Sequence, residues 1–469
     1  MTQTTKINSF YKHFKLIIFV TTVILSVIYG YTHQLDGDVV QLFQRMNHFL
    51  STGHLIPYGP ATSSGASGNV PGSFLTAMVS IPLLVYPSPW MSLLFLGAMH
   101  MAAFFLLNEV YKKTILKEGI FLFWLLFLLN PYRAAEIFLW NPSYTFLVSV
   151  LHLFTSYKLS QKTVFLNRFI WSGLHVLAIL IGVQVHPSIV LLMGVSFGLF
   201  SLRLIKISWS GVFWGFILGI ISLIPFFNEL TLHPEIMPKA GAASGHSTLF
   251  YGLTHVLPII KGFWYWIVFS GFVPPSHTFK YTSFNWMGPF FETIMTPLWW
   301  MIKASFSFVG VVISIKANIW FFKKTKNSGF LKVINHSKKC CSSDDSFFMG
   351  YVVLSWIMIF VFTAISPTTT QFWHILYMFP ISLYPVILFF DSVQLNNKVP
   401  SLNNGMLSSK WMFQNKRMFQ NKRMITKLNF LLLLFVYFTF YNLFAAIESK
   451  KHNTQTNLHQ MFLEYQSHK

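Results

Sequence analysis

Asp36 and Asp38 stand on either side of a glycine in YGYTHQLDGDVVQLFQRM, residues 29–46, directly after an apolar run. The chain has only 13 acids among 469 residues, so two at the edge of a membrane need a chemical reason. A carboxylate beside a bilayer costs desolvation energy and is placed there for a partner or a reaction. An Asp ahead of VVQLFQRMNHFL can also accept backbone N–H bonds and cap an amphipathic helix. Asp-x-Asp is in addition a metal-ligand spacing, and oxygen ligands suit magnesium or manganese, but two carboxylates are too few to specify a metal. Capping and reaction are compatible: one Asp can cap while the other reacts, with Gly37 letting the chain turn sharply between them.

The elements that must position these acids follow from composition. The chain is 54% hydrophobic and 10% charged, with a mean hydropathy of +0.53. A soluble domain carries roughly a quarter charged residues, so this is a polytopic membrane protein. The net charge of +21 sits in short Lys/Arg clusters between apolar runs, the pattern of cytoplasmic loops, and argues against nucleic acid. Cys340 and Cys341 are adjacent and give neither a disulfide framework nor a metal site. The first apolar run, 16–28, lacks a small-residue cleavage site and is expected to stay as a span.

Lys6, Lys12 and Lys15 place the N-terminus in the cytoplasm and a first span at 16–31. The run 74–86, bounded by Pro71 and Pro87, is too short to cross and reads as an interfacial or re-entrant helix. With only 91–110 crossing next, every later basic cluster falls inside. The expectation is an all-α integral membrane protein of about eleven transmembrane helices. The other nine lie near 119–130, 144–157, 169–181, 188–202, 211–227, 293–315, 348–365, 372–390 and 429–446.

In this threading 1–446 is one polytopic unit and 447–469 a short polar tail on the outer side. The outer loops are 32–90, with the acidic pair, 131–142, and 228–292, which includes an interfacial helix at FWYWIVFSGF, 263–272; 316–346 and 391–428 are basic cytoplasmic loops. MFQNKR occurs twice in tandem, at 412–417 and 418–423, as expected of a duplication in a solvated linker. The outward acids are Asp36, Asp38, Glu136, Glu229, Glu235, Glu292, Glu448 and Glu464.

A first span, then DGD, then an amphipathic helix resembles the membrane glycosyltransferases of the GT-C class, the protein O-mannosyltransferases and lipid A aminoarabinose transferases among them. HLIPYGPATSSGASGNVPGSFLTAM, 54–78, is similar to the bacterial branch's loop leading into a short apolar helix. RAAEIFLWNPSY at 133–144, GVQVHPSIVLL at 182–192 and QFWHILYMFPISLYP at 371–385 are similar to its Arg-…-LWNPS, Gln-x-His and late Tyr–…–Pro segments. The family's GPLYY reads GSFLT here, 72–76, which removes an aromatic contact expected there.

The resemblance implies a GT-C-like fold with interfacial helices in the first extracytoplasmic loop. It also implies transfer of a sugar from a polyprenyl-phosphate carrier to a glycan, lipid or protein acceptor, outside the plasma (inner) membrane. That reaction needs a carboxylate to take the acceptor's proton, cations to hold the leaving phosphate, and an apolar groove for the prenyl chain. Asp36 matches the family's leading acid and is expected to act as base, with Asp38 in support. Arg133 falls in a matched segment and can grip phosphate through a two-pronged guanidinium. Snorkelling to headgroups is its bland alternative.

Glu136, three residues on, can pair with Arg133 and orient it. Asn141, His186 and His374 are further candidates for donor contact, and Trp140 for shaping the loop or stacking on a sugar. Tyr58, Ser63 and Ser64 belong to a Gly/Ser-rich stretch that reads either as an ordinary linker or as a lid over the acceptor. No obligatory metal or other cofactor is expected, although the DGD spacing would accept magnesium or manganese. The competing readings are a transporter or flippase of lipid-linked sugars and an envelope polysaccharide polymerase or ligase. The acids lie in loops and at span ends, which weighs against the first. The outer loop 228–292 contains no arginine, which weighs against the second.

Overall fold

The computed structural model of the chain describes residues 3–32, 37–61, 66–162, 164–237, 239–240, 251–275, 284, 288–327, 344–366, 370–392, 409–452 and 458–467. From the N-terminus come α1 (Gln3–Thr32), α2 (Gly37–Thr52), β1 (Tyr58–Ala61), β2 (Ala66–Ser67), β3 (Asn69–Pro71), α3 (Phe74–Ser80) and α4 (Pro89–Tyr111). The middle of the chain forms α5 (Lys117–Leu128), α6 (Pro131–Ala135), α7 (Thr145–Ser160), α8 (Phe165–Val183), α9 (Leu191–Ser201), α10 (Trp209–Ile221), α11 (Ile224–Leu232) and β4 (Lys239–Ala240). The last part forms α12 (Tyr251–His255), α13 (Leu257–Val268), α14 (Pro289–Asn327), α15 (Asp344–Ile365), α16 (Phe379–Ser392), α17 (Ser409–His452) and α18 (Leu458–Ser467).

The protein is an all-α polytopic membrane protein, with short strand pairs only in its loops. Among the described residues, seven of the eleven expected spans are long and apolar enough to cross: α1, α4, α8, α10 with α11, α14, α15 and α17. The other four expected spans are met by α5, α7, α9 and α16, of 12, 16, 11 and 14 residues. At 1.5 Å per residue these cover about 17–24 Å, short of the roughly 30 Å hydrocarbon core. By length and composition alone, then, seven of the eleven stand out as full-length helices, and the other four runs are shorter. The shortening has a local cause at Pro131, Pro142 and Pro187, each of which opens a new short helix.

The most extensive helix contact is between α8 and α10. Gly211, Gly215 and Gly219 repeat every four residues along α10 and lie on one face. A Cβ on Gly211 would sit 2.2 Å from the Phe169 carbonyl oxygen, and one on Gly215 would sit 2.3 Å from that of Gly173. Small residues at this spacing let backbones approach where lipid supplies no hydrophobic drive. The opposite face of α10 exposes Phe213, Trp214 and Phe216.

A buried polar knot crosses the same bundle. His152 receives or donates hydrogen bonds at both ring nitrogens, to Tyr351 Oη at 2.7 Å and Ser196 Oγ at 2.8 Å. His175 reaches Thr155 Oγ1 at 2.9 Å and the same Ser196 at 2.8 Å. Satisfied in this way, polar side chains tie α7, α8, α9 and α15 together.

The first loop is an ordered layer at the end of the bundle. α2 is amphipathic: Val39, Leu42, Phe43 and Met46 are buried against Leu75, Val79 and Leu96 of α3 and α4. Phe462 of α18 joins them, meeting the Phe43 ring edge-on at 5.6 Å, and Gln466 donates to Asn47 Oδ1 at 3.2 Å. β1 pairs antiparallel with β3, and β2 with β4, so the loops 32–90 and 228–292 are joined by a short strand pair. Arg45 clips α2 to this hairpin, donating from Nη1 to the Gln41 carbonyl at 2.9 Å, from Nε to that of Tyr58 at 3.3 Å, and from Nη2 to that of Gly59.

Candidate active site

Asp36, Ser63 and Ser64 lie outside the described residues. Asp38 is the second residue of α2 and half-buried. Its Oδ2 accepts a hydrogen bond from Trp140 Nε1 at 2.9 Å, so its carboxylate reaches across to a loop 102 residues away.

Trp140 is held by extended backbone just before the 3-10 turn Asn141–Tyr144, which Pro142 starts. Its indole stacks on Phe138 at 5.1 Å and meets Trp373 edge-on at 5.6 Å. Asn141 begins the turn, half-buried.

Trp373 and His374 belong to the one-turn 3-10 helix Phe372–His374. The Gln371 N–H donates to His374 Nδ1 at 3.2 Å, completing a reciprocal cap with the Gln371 side chain. The Ser188 N–H points at His186 Nδ1 at 3.4 Å, and Ser188 Oγ lies 2.6 Å from the same nitrogen. The two rings are 6.5 Å apart. Burial, then the neighbouring His374, pulls His186 down to about 3; burial pulls His374 down to about 4. Both imidazoles are therefore neutral near pH 7. With Nδ1 accepting, each carries its proton on Nε2 and offers an N–H donor.

Gly72, at φ +83°, presses the end of the hairpin against the end of α8: a Cβ there would lie 2.2 Å from Gln184 Oε1. Gln184 in turn donates to Ser222 Oγ at 2.7 Å. The fold thus brings five separate sequence segments to one place: Asp38 to Trp140, Trp140 to Trp373, His374 to His186, and Gly72 to Gln184.

Arg133 lies on the five-residue α6, which Asn130 caps by accepting from the Tyr132 N–H at 2.9 Å and Pro131 opens. Its guanidinium is 2% exposed, and its Nε has no hydrogen-bond partner. Burial pulls it down to about 10, offset in part by Tyr29, so it remains a cation at neutral pH.

The pairing expected with Glu136 does not form: no carboxylate lies within ion-pair distance of Arg133 among the described residues. The i,i+3 spacing assumed a continuing helix, but α6 stops at Ala135 and Glu136 is already its C-cap, where the chain turns away. Glu136 is fully buried and accepts from Ser143 Oγ at 3.0 Å, leaving Oε1 without a partner. Burial pushes it up to about 8, against the lowering effect of Ser143, so it is mostly protonated at neutral pH.

Tyr58 is built into the floor of the hairpin. Its carbonyl accepts from Arg45 and from Thr76 Oγ1, and its ring lies 5.7 Å beneath the Arg45 guanidinium. Sequence reasoning missed the Trp140–Asp38 bond, Ser143 as the partner of Glu136, and His100, whose Nε2 lies 2.7 Å from the Ser143 carbonyl. A lone histidine inside the apolar run of α4 was the available signal for the last. No group of three His, Cys, Asp or Glu side chains among the described residues is placed to hold a metal.

No family model matches the chain, and no curated protein matches it. Two solved structures do. ArnT from Cupriavidus metallidurans bound to undecaprenyl phosphate is 9% identical with a TM-score of 0.49, over 93% of this chain and 75% of that one. The same protein in the apo state is 12% identical with a TM-score of 0.40, over 82% and 77%. At these values the likeness describes a broadly similar course of the chain and carries no weight for the chemistry.

Proposed function

We propose that the protein is a GT-C-like membrane glycosyltransferase that moves a sugar from a polyprenyl-phosphate carrier to a hydroxyl of a glycan, lipid or protein. The reaction takes place at the extracytoplasmic face of the plasma (inner) membrane. The acceptor oxygen attacks the anomeric carbon while a carboxylate, Asp36 with Asp38 in support, takes its proton. The bond from that carbon to the phosphate oxygen breaks, and the carrier phosphate leaves with the electron pair. Arg133 neutralises the phosphate, and the Nε2–H groups of His186 and His374 donate to phosphate or sugar oxygens.

The observation that carries this reading is Arg133: a buried arginine with no carboxylate within ion-pair distance among the described residues. A buried charge left unpaired is expensive, and an anionic ligand would supply the missing partner. The same end of the fold has Asp38 held by an indole and two neutral imidazoles with free N–H donors.

The test compares glycolipids and glycans, by mass spectrometry, from cells with and without the gene, then restores Asp36→Asn or Arg133→Gln. Wild type should restore a mass shift of one sugar. Asp36→Asn should insert at normal abundance and restore none, and Arg133→Gln should lower transfer about 100-fold or more. Full transfer by Asp36→Asn would remove the proposed base.

A further inference from the structure

An open cavity of about 430 Å³ lies at the far end of α8 from His186. Arg168, Arg203 and Lys206 line it with Phe200 and Trp209. Arg168 sits in the first turn of α8, and the other two cations lie in the link between α9 and α10. Sixteen residues of helix separate Arg168 from Gln184, about 24 Å, so this site is distinct from the one above.

The backbone at Arg203 is the second observation. α9 ends in a Schellman motif: the Leu204 N–H bonds the Leu199 carbonyl at 2.9 Å, and the Arg203 N–H bonds that of Phe200 at 2.9 Å. The position in the left-handed region, which such a cap gives to glycine, is occupied by Arg203 at φ +56°. An arginine carries a strain there that glycine would not, and it brings a guanidinium to the cavity mouth.

The surroundings name the ligand. Phe197, 73% exposed, lies one turn from Phe200, and Phe213, 59% exposed, lies one turn from Trp209. Phe200 and Trp209 meet edge-on at 5.8 Å. Cations at the mouth, a ring pair beside them and exposed apolar side chains running down both helices fit a molecule with an anionic head and hydrocarbon tails. We infer that this cavity binds the phosphate headgroup of an anionic phospholipid from the leaflet on the side of the basic loops, with its acyl chains along α9 and α10.

Native mass spectrometry of the full-length protein in detergent tests it, with phosphatidylglycerol or phosphatidylcholine added. Wild type should retain phosphatidylglycerol more tightly than phosphatidylcholine. Arg203→Gly, which relaxes the backbone and so keeps the fold, should weaken retention about fivefold, and Arg203→Gly with Lys206→Gln about 25-fold. The control pair Lys112→Gln and Lys113→Gln should leave it unchanged. Wild-type retention by the double variant, or an equal loss in the control, would overturn the site. Displacement of the lipid by inorganic phosphate or glycerol phosphate at matching concentration would overturn the lipid as occupant.

Discussion

Glu136 shows how far a residue's surroundings can depart from what its neighbours in sequence imply. Buried beside Ser143 and away from Arg133, it has a folded pKa near 8, above its ordinary value of 4.5. The folded state therefore holds a proton that the unfolded state has released, and stability is lost as pH rises through that interval. Glu136→Gln removes the dependence. Its stability should gain on wild type between about pH 5 and about pH 8, by up to about 5 kcal/mol, read as a rise in melting temperature by scanning fluorimetry. A difference that stays flat with pH would show that the carboxyl is already ionised. Residue types were legible in the sequence here, and His186 and His374 do come together. The partner of Glu136 was not legible, because α6 ends one residue before the spacing rule could apply.

At the scale of elements, apolar runs and loop charge were enough to locate every helix that meets the criterion for crossing, because that signal is summed over some 20 residues. They did not show where prolines divide several of the other runs into short helices and 3-10 turns. The α8–α10 seam also escaped notice: Gly211, Gly215 and Gly219 are ordinary in composition and gain meaning only from what faces them. Gly215→Leu should force the two helices apart and cost roughly 1–3 kcal/mol, measured as loss of folded protein on heating in detergent. The equivalent change at Gly97, which has open space around its α-carbon, should cost far less. Reporter fusions after Gly53 and after Lys113 address orientation. The first is expected to score extracytoplasmic and the second cytoplasmic, and the opposite result at Lys113 would require 74–86 to cross.

Taken whole, the molecule has distinct polar clusters at the two ends of α8. Asp38, the Trp140 and Trp373 indoles and the His186 and His374 imidazoles gather at one end, and Arg168, Arg203 and Lys206 line the cavity at the other end of α8. The layer over the first of these is closed by α18, whose Phe462 is fully buried on Phe43. Phe462→Ala should cost about 3 kcal/mol and loosen α2, visible as faster hydrogen exchange over 38–52. Unchanged exchange would mean that the tail is a passenger. This contact also sets an order of events during synthesis. The apolar face around Phe43 is translated long before residue 462 leaves the ribosome, so the outer layer waits, unsealed, for the neighbour that Phe462 supplies.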